Sequence, residues 1–513
     1  MIEMKLLTPE EMRAVDKAAT VEYKIPSLLL MEHAAYQIFS YIKENEDGKE
    51  IVIVCGPGNN GGDGLALARQ LKAFSSCKVK VLLLCSKEKL SEDGKVYYEI
   101  CQNMDIDLFH IKEDNKQAWL ENIQKASIIV DAIFGTGLSR MVEGLFYEVM
   151  SEINEANCKV ISIDIPSGIN GLTGKVQGIA IKADLTITFV RPKLGLYLYP
   201  AILYTGEVRV VNIGMPDGLL EKINTHYFSI EQDEMKTILP RREIRSNKGS
   251  YGKVLTIGGS LGMAGAISLT SMAAYRVGCG TVTTAIPKCI IEIMQQKLTE
   301  VMAIGLEDEA GHFSKGAVSE LRKILPNYEV IAIGPGIGRS EAVLSLVKEV
   351  LLNNKPCILD ADALYFVPEV LEMIKARKVA TIMTPHPGEM GRMMGVTTHA
   401  ILDKPIQYAR EFATKFNVIT VLKLEKTVIA HTDGNIYINK CGNTGLAKGG
   451  SGDVLTGIIT GLLAQHMVPI EAAMLGVYLQ TRAADLAKES LSERSFVASD
   501  VIHSLGKVFL ELR

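Results

Sequence analysis

Between residues 51 and 72 the chain passes from the apolar run I-V-I-V-C directly into G-P-G-N-N-G-G-D-G and then into a helical stretch. That junction constrains the fold more than any other feature. A short β-branched run predicts a strand, and the glycines let the backbone turn at once into the helix that follows. Strand, tight loop and helix in that order build parallel sheets, whose strands need a helical crossover to return. The loop also leaves N–H groups at a helix N-terminus with little side-chain bulk before them, which suits an anion. No Gly-Lys-Ser/Thr follows, so the loop is not of the Walker type.

The rhythm recurs. Strands are expected at 78–84, 128–134, 160–164 and 185–190, with helices between them, as at 63–72 and 143–157. It lapses over 215–245, where a Pro-Asp-Gly turn is followed by Arg241, Arg242 and Arg245. It then restarts with strands at 254–257, 329–333, 357–359, 380–383 and 418–422. A chain of 513 residues is too long for one ordinary core. The pattern therefore predicts two α/β domains, 1–216 and 217–513, each a parallel sheet with helices on both faces. Ligands in such sheets gather at the carboxyl ends of the strands.

Composition removes other classes. A net charge of −4 gives no general attraction to nucleic acid or anionic membrane, so anion binding must be local. No basic, aromatic-rich run supports RNA binding, and no apolar run approaches spanning length. Nine scattered cysteines without a C-x-x-C pair read as reduced thiols of a cytoplasmic protein. Glu3, Glu10 and Glu11 so near the start do not fit a signal peptide.

A second anion loop, G-L-A-K-G-G-S-G-D-V-L-T-G, occupies 445–457. N–H groups of Gly450, Ser451 and Gly452, a helix dipole and the carboxylate of Asp453 converge there. Phosphate oxygens suit the N–H groups, and Asp453 can take the proton of a hydroxyl as that hydroxyl meets phosphorus. The competing role for Asp453 is a helix cap. In the first half, three strand-end loops offer Asn60, Asp131, Asp164 and Ser167 to one crevice. All are hard oxygen donors that could hold a cation, and Asp164 could move a proton. For each aspartate the competing role is a turn cap.

These motifs resemble a known family. G-P-G-N-N-G-G-D-G, D-A-I-F-G-T-G-L and I-D-I-P-S-G-I look like the NAD(P)H-hydrate epimerase domain. G-G-S-L-G-M-A-G-A (258–266), G-P-G-I-G (334–338), T-P-H-P-G-E (384–389) and G-G-S-G-D look like the ADP-dependent NAD(P)H-hydrate dehydratase, a ribokinase-like domain. The resemblance spans nearly the whole chain. It implies a Rossmann-like N-terminal domain and a ribokinase-like α/β/α C-terminal domain, in the order of the fused bacterial repair enzymes.

The family acts on NADH or NADPH that has taken up water across a ring double bond, leaving a hydroxyl beside the ring nitrogen in either of two epimers. One domain interconverts the epimers and the other dehydrates the S form at the expense of ADP, giving AMP and phosphate. Carried onto this chain, Asn59, Asn60, Gly61, Gly62 and Asp63 would hold the hydrate's diphosphate and ribose with Gly135, Thr136, Gly137, Leu138, Ser139, Arg140 and Met141. Asn60, Asp131 and Ser167 would bind potassium, and Asp164 would contact the epimerising centre as acid and base. In the dehydratase, Ala266, Gly336, His386 and Asp453 would face the hydrate. Lys423, Leu424, Glu425, Lys426, Thr427 and Gly452 would contact ADP, and Glu389 would join the magnesium network. Relatives usually carry glycine where this chain has Leu424. His386 could instead be a polar residue satisfied at a strand end.

The preference for ADP and a homo-oligomeric state come from the resemblance alone. The expected partners are small molecules, namely hydrated NADH, hydrated NADPH and ADP, with no nucleic acid and no membrane. Two rival readings are a vitamin-precursor kinase fused to an accessory domain, and a first domain that only binds.

Overall fold

The computed structural model describes residues 4–513, so Glu3 lies outside the described residues. It divides into two units, Lys5–Thr225 and His226–Arg513, the latter joined by Met4. The first runs on past residue 216, because Leu219 and Leu220 of the helix Asp217–Glu221 join its core. The stretch 215–245, expected to be irregular, also carries the strand Tyr227–Ile230 and the helix Gln232–Ile238.

In the first unit seven strands pair in the order Asp107–His110, Lys78–Leu83, Glu50–Cys55, Ile128–Ala132, Lys159–Ile163, Leu185–Phe189, Glu207–Val211. Every pairing is parallel. The two outermost strands escaped the sequence reading because D-L-F-H and E-V-R-V-V mix charge into short runs. Edge strands tolerate that mixture, since one side faces water.

Alternation along Glu50–Cys55 shows why both faces must be covered. Ile51, Ile53 and Cys55 enter one apolar core with the helices Ser27–Glu46 and Asn59–Phe74. Val52 and Val54 enter another, with Trp119 and Met150. Each such side chain, once fully buried, contributes about 1.5–3 kcal/mol.

Chain order reverses direction between Glu50–Cys55 and Ile128–Ala132, which are neighbours in the sheet though far apart in sequence. A crevice opens at the carboxyl ends of such a pair. The loop after Cys55 lies there, and it is tight enough that a Cβ on Gly56 would sit 1.9 Å from the carbonyl oxygen of Ile133. Only glycine fits that approach.

The second unit carries parallel strands in the order Ile419–Leu422, Thr381–Met383, Cys357–Leu359, Val330–Ile333, Lys253–Ile257, Thr281–Pro287, Met302–Leu306. Val428–Ala430 and Ile436–Asn439 extend it antiparallel beside Ile419–Leu422. Thr281–Pro287 was not among the expected strands. Thr283 and Thr284 are buried in the sheet. Here the chain reverses between Lys253–Ile257 and Val330–Ile333, and the two glycine-rich loops 258–266 and 334–338 follow those strands. The helix Ser451–Ala464 is apolar all round and buried from Val454 to its end. Such a helix is a central one. Among the described residues no helix is long and apolar enough to cross a membrane, and all nine cysteines are free.

Candidate active sites

A cleft of about 570 Å3 opens at the reversal point of the first unit. Asn59, Asn60, Asp63, Asp164 and residues 135–140 line it, as the sequence reading expected. Gly61 and Gly62 are buried behind the loop, and Met141 is exposed outside the lining. Asp131 and Ser167 do not face the crevice, which corrects the expectation that both would be offered to it: each is fully buried. The Asp131 carboxylate accepts from Ser162 Oγ (2.8 Å), Ser167 N (2.8 Å), Ser167 Oγ (2.5 Å) and Ile133 N (3.2 Å). Burial pushes its pKa up and the serine donors pull the other way. The carboxylate thereby ties two strand-end loops together. Ser167 Oγ also reaches the carbonyl of Phe134 (3.1 Å), and that carbonyl accepts from Asn60 Nδ2 (3.1 Å).

Asp164 stands in the left-handed region, at φ +66°. Held strain of this kind collects at functional positions. Its Oδ1 accepts from Thr188 Oγ1 (3.1 Å) and Phe189 N (3.2 Å) and pairs with the ammonium of Lys193. Lys193 is only 1% exposed and also donates to Thr188 Oγ1 and the Phe189 carbonyl. Sequence reasoning missed Lys193 and also Asp16, which lines the same cleft from the helix Pro9–Val21. Neither lies in a glycine-rich motif. The signal for Asp16 was a charge on an amphipathic helix face, which is ordinary on a surface. Burial pushes the Asp63 carboxyl well above the carboxylate range, with Asp164 and Asp16 adding to it.

In the second unit, Gly450 at φ +95° caps the helix Ser451–Ala464 with no side-chain hydrogen bond, so the first-turn N–H groups stay free of a capping side chain. Asp453 lies in that first turn. Burial pushes its carboxyl up to about 6, Asp360 adds to the rise, and Lys423 opposes it. A base poised near neutral pH results. Asp360 is buried and accepts from Thr384 Oγ1 (2.7 Å), Thr456 Oγ1 (2.8 Å) and Lys423 Nζ (3.0 Å). The Lys423 ammonium lies 3.2 Å from where a Cβ on Gly452 would project. Burial works against its charge, but Asp360 and Glu389 outweigh it and hold its pKa above the ordinary value. Cation, helix N-terminus and carboxylate thus meet at one point.

His386 caps the helix Pro387–Met394: its Nδ1 accepts from Gly388 N (3.0 Å) and Glu389 N (3.3 Å), while Glu389 Oε2 accepts from His386 N (2.8 Å). That reciprocal cap is the satisfied role weighed against a substrate contact. The ring is half exposed, and its Nε2 lies 3.5 Å from Glu389 Oε1. Gly336 and Ala266 meet where the two glycine-rich loops touch, since a Cβ on Gly336 would lie 3.2 Å from that of Ala266. In the 423–427 segment Lys426 turns away to the Lys440 carbonyl and Thr427 is buried.

Two parallel α/β units, one with a carboxylate at a glycine-rich helix start and the other with a cleft beside a glycine-rich loop, make a protein with two sites suited to phosphate-bearing ligands. Family comparison narrows the class. Residues 254–505 match the family described as NAD(P)H-hydrate dehydratase, and residues 27–195 match YjeF-related protein N-terminus. A bifunctional NAD(P)H-hydrate repair enzyme of Moorella thermoacetica is 39% identical over 99% of this chain and 97% of that one. Its Escherichia coli counterpart is 31% identical over 97% and 92%. The Bacillus subtilis ADP/ATP-dependent NAD(P)H-hydrate dehydratase, co-crystallized with ATP and Mg2+, is 33% identical with a TM-score of 0.50, covering 55% of this chain and 98% of that one. The chain belongs to the bifunctional NAD(P)H-hydrate repair enzyme family.

Proposed function

We propose that this chain returns hydrated NADH and NADPH to their active forms, epimerising the R and S hydrates in the first unit and dehydrating the S form with ADP in the second. The observation that carries the reading is the second site: a half-buried carboxylate, Asp453, at a helix start without a capping side chain, beside the Lys423 ammonium. Hydroxide is a poor leaving group. Transfer of the ADP β-phosphoryl to the hydrate's hydroxyl converts it to phosphate, and the lone pair of the adjacent ring nitrogen can expel that group and restore the double bond. Asp453 takes the hydroxyl proton, and the N–H groups of Gly450, Ser451 and Gly452 stabilise charge on the moving phosphoryl. Lys423 adds a positive charge on the same side.

Lys423, Leu424, Glu425, Lys426, Thr427 and Gly452 would form the ADP site, Ala266, Gly336 and His386 the hydrate site, and Glu389 would offer magnesium an oxygen donor. In the first unit the glycine loop that leads into the helix Asn59–Phe74 would hold the hydrate's diphosphate together with residues 135–140, and Met141 would reach it from outside the cleft lining. Free cysteines fit a cytoplasmic setting. A homo-oligomer belongs to the same reading. The test is to incubate the protein with mixed hydrate epimers, with and without ADP, and follow reduced-nicotinamide absorbance. Full recovery with release of inorganic phosphate is expected only with ADP. A stable phosphorylated product would instead make the chain a small-molecule kinase.

The oxygen groups around Asp131 fit potassium in kind, since Asn60, Ser167, the Phe134 carbonyl and the carboxylate offer no nitrogen or sulfur lone pair that would favour zinc or copper. Potassium held by Asn60, Asp131 and Ser167 would supply positive charge beneath the diphosphate. Replacing potassium with a large organic cation, or Asp131 with alanine, is then expected to raise the epimerase KM by roughly tenfold or more while the dehydratase KM stays put. Unchanged epimerase kinetics after the cation exchange would leave Asp131 as a loop anchor only.

A further inference from the structure

Among the four aspartates that line the epimerase cleft, Asp16 is one that the reading above leaves without a task. Asp16 projects from the helix Pro9–Val21, where Met12, Asp16 and Thr20 recur at four-residue spacing and line the cleft together. The position of that helix is fixed twice. Thr8 and Glu11 form a reciprocal cap, with Thr8 N donating to Glu11 Oε2 (2.7 Å) and Glu11 N to Thr8 Oγ1 (3.1 Å). The residue before the cap is tied to the segment that carries Lys193: Leu7 N donates to the Pro192 carbonyl (3.0 Å) and Leu194 N to the Leu7 carbonyl (2.9 Å). Asp16 therefore lines the same cleft as the Asp164–Lys193 pair from a helix whose start is tied to the segment that carries Lys193.

The charged groups facing the cleft around Asp16 are Arg13, Asp63, Asp93, Arg140, Asp164 and Lys193. Lys193 is committed to Asp164, with its other hydrogens on Thr188 Oγ1 and the Phe189 carbonyl. Asp164 thus has a dedicated counter-ion. Burial pushes the Asp16 carboxyl up to about 6, Lys193 pulling it down and Asp164 pushing it up. Of the four aspartates that line the cleft, Asp63 belongs to the glycine loop and Asp164 is paired with Lys193, and the half-buried Asp16, which burial raises, can serve as an acid in the same cleft.

We infer that Asp16 is a second proton-transferring residue of the epimerase, giving a proton to the ring nitrogen of the hydrate as Asp164 takes the one on the hydroxyl. The inference rests on the epimerase reading and on the role of Asp164 in it. In the forward step the Asp164 carboxylate removes the hydroxyl proton, the C–O bond becomes C=O, and the C–N bond breaks with its electron pair passing to nitrogen. Asp16 in its acid form protonates that nitrogen. Rotation about the bond next to the new carbonyl presents the opposite face. Asp16 then takes the N–H proton back, nitrogen attacks the carbonyl, and Asp164 returns the proton to oxygen. Atoms and electrons balance, and no further reactant is required.

The test uses the full-length protein and mixed hydrates with ADP, where the fast phase reports dehydration and the slow phase epimerisation. Asp16→Asn is expected to lower the epimerase kcat by about 10² or more with KM little changed, while the fast phase stays at the wild-type rate. Because the acid must be protonated, wild-type epimerisation should fall as pH rises above about 6. That limb should vanish in Asp16→Asn and persist, with part of the rate, in Asp16→Glu. A wild-type slow phase in Asp16→Asn beside a stalled one in Asp164→Asn overturns the inference and leaves the Asp164 role intact. Wild-type slow phases in both overturn the two together. Raised KM with unchanged kcat makes Asp16 a binding contact and also overturns it. If Asp16→Asn does not fold, a wild-type or Asp16→Glu profile that lacks the falling limb refutes it equally.

Discussion

Replacing Asp453 with alanine is expected to remove nucleotide-dependent dehydration, by about 10² to 10⁴ in rate, while leaving epimerisation near wild type. The two activities sit on separate sheets with separate anion loops, so nothing in the first cleft depends on this carboxylate. Loss of both activities in a folded variant would contradict independent sites. The pH profile carries a second signature. A base works only when ionised, and the Asp453 carboxyl is held at about 6, so dehydration should decline as pH falls below that value, to roughly a tenth at pH 5.

The same shift has a cost in stability. A carboxyl whose folded pKa is raised binds its proton more tightly in the native state, so its contribution is fully present below the ordinary aspartate value and is lost as pH rises through about 6. Asp453→Asn should therefore melt higher than wild type at pH 7, with the gap closing toward pH 3. The upper bound is about 3 kcal/mol, reduced by whatever solvent reaches the group. A variant that melts lower at pH 7 would show that the carboxylate is compensated in the native protein.

Asp164→Asn should split recovery of mixed hydrates into a fast phase and a stalled remainder. The dehydratase consumes the epimer it accepts, and the rest waits on slow spontaneous epimerisation. Asparagine is the informative replacement because it tolerates the positive φ at this position and so keeps the backbone while losing the proton acceptor. It also strips Lys193 of its counter-ion. Removing one partner of a buried pair typically costs about 3–5 kcal/mol, so the first unit should unfold at lower temperature while the second keeps its transition. Complete recovery with a slow phase at the wild-type rate would show that Asp164 is not the base.

Much of this is legible in the sequence alone. The strand after which each glycine loop hangs, the start of Ser451–Ala464 without a capping side chain and the carboxylates Asp164 and Asp453 all follow from local rules. Period-two burial marks strands, and glycine-rich turns before helices mark anion sites. Local rules failed where the role of a residue is set by what packs on it from elsewhere. Asp131 and Ser167 looked like crevice ligands because they follow strands, yet both are enclosed behind the loops that they join.

The sequence by itself determined the two α/β sheets, their order along the chain and the glycine loops at the strand ends. Those are encoded in runs of a few neighbouring residues. Only the tertiary structure brought Asp16 and Lys193 to Asp164, and Asp360 and Lys423 to Asp453. These partners come from distant segments of the chain. The pKa of a carboxyl depends on burial and on charges that chain folding alone places beside it.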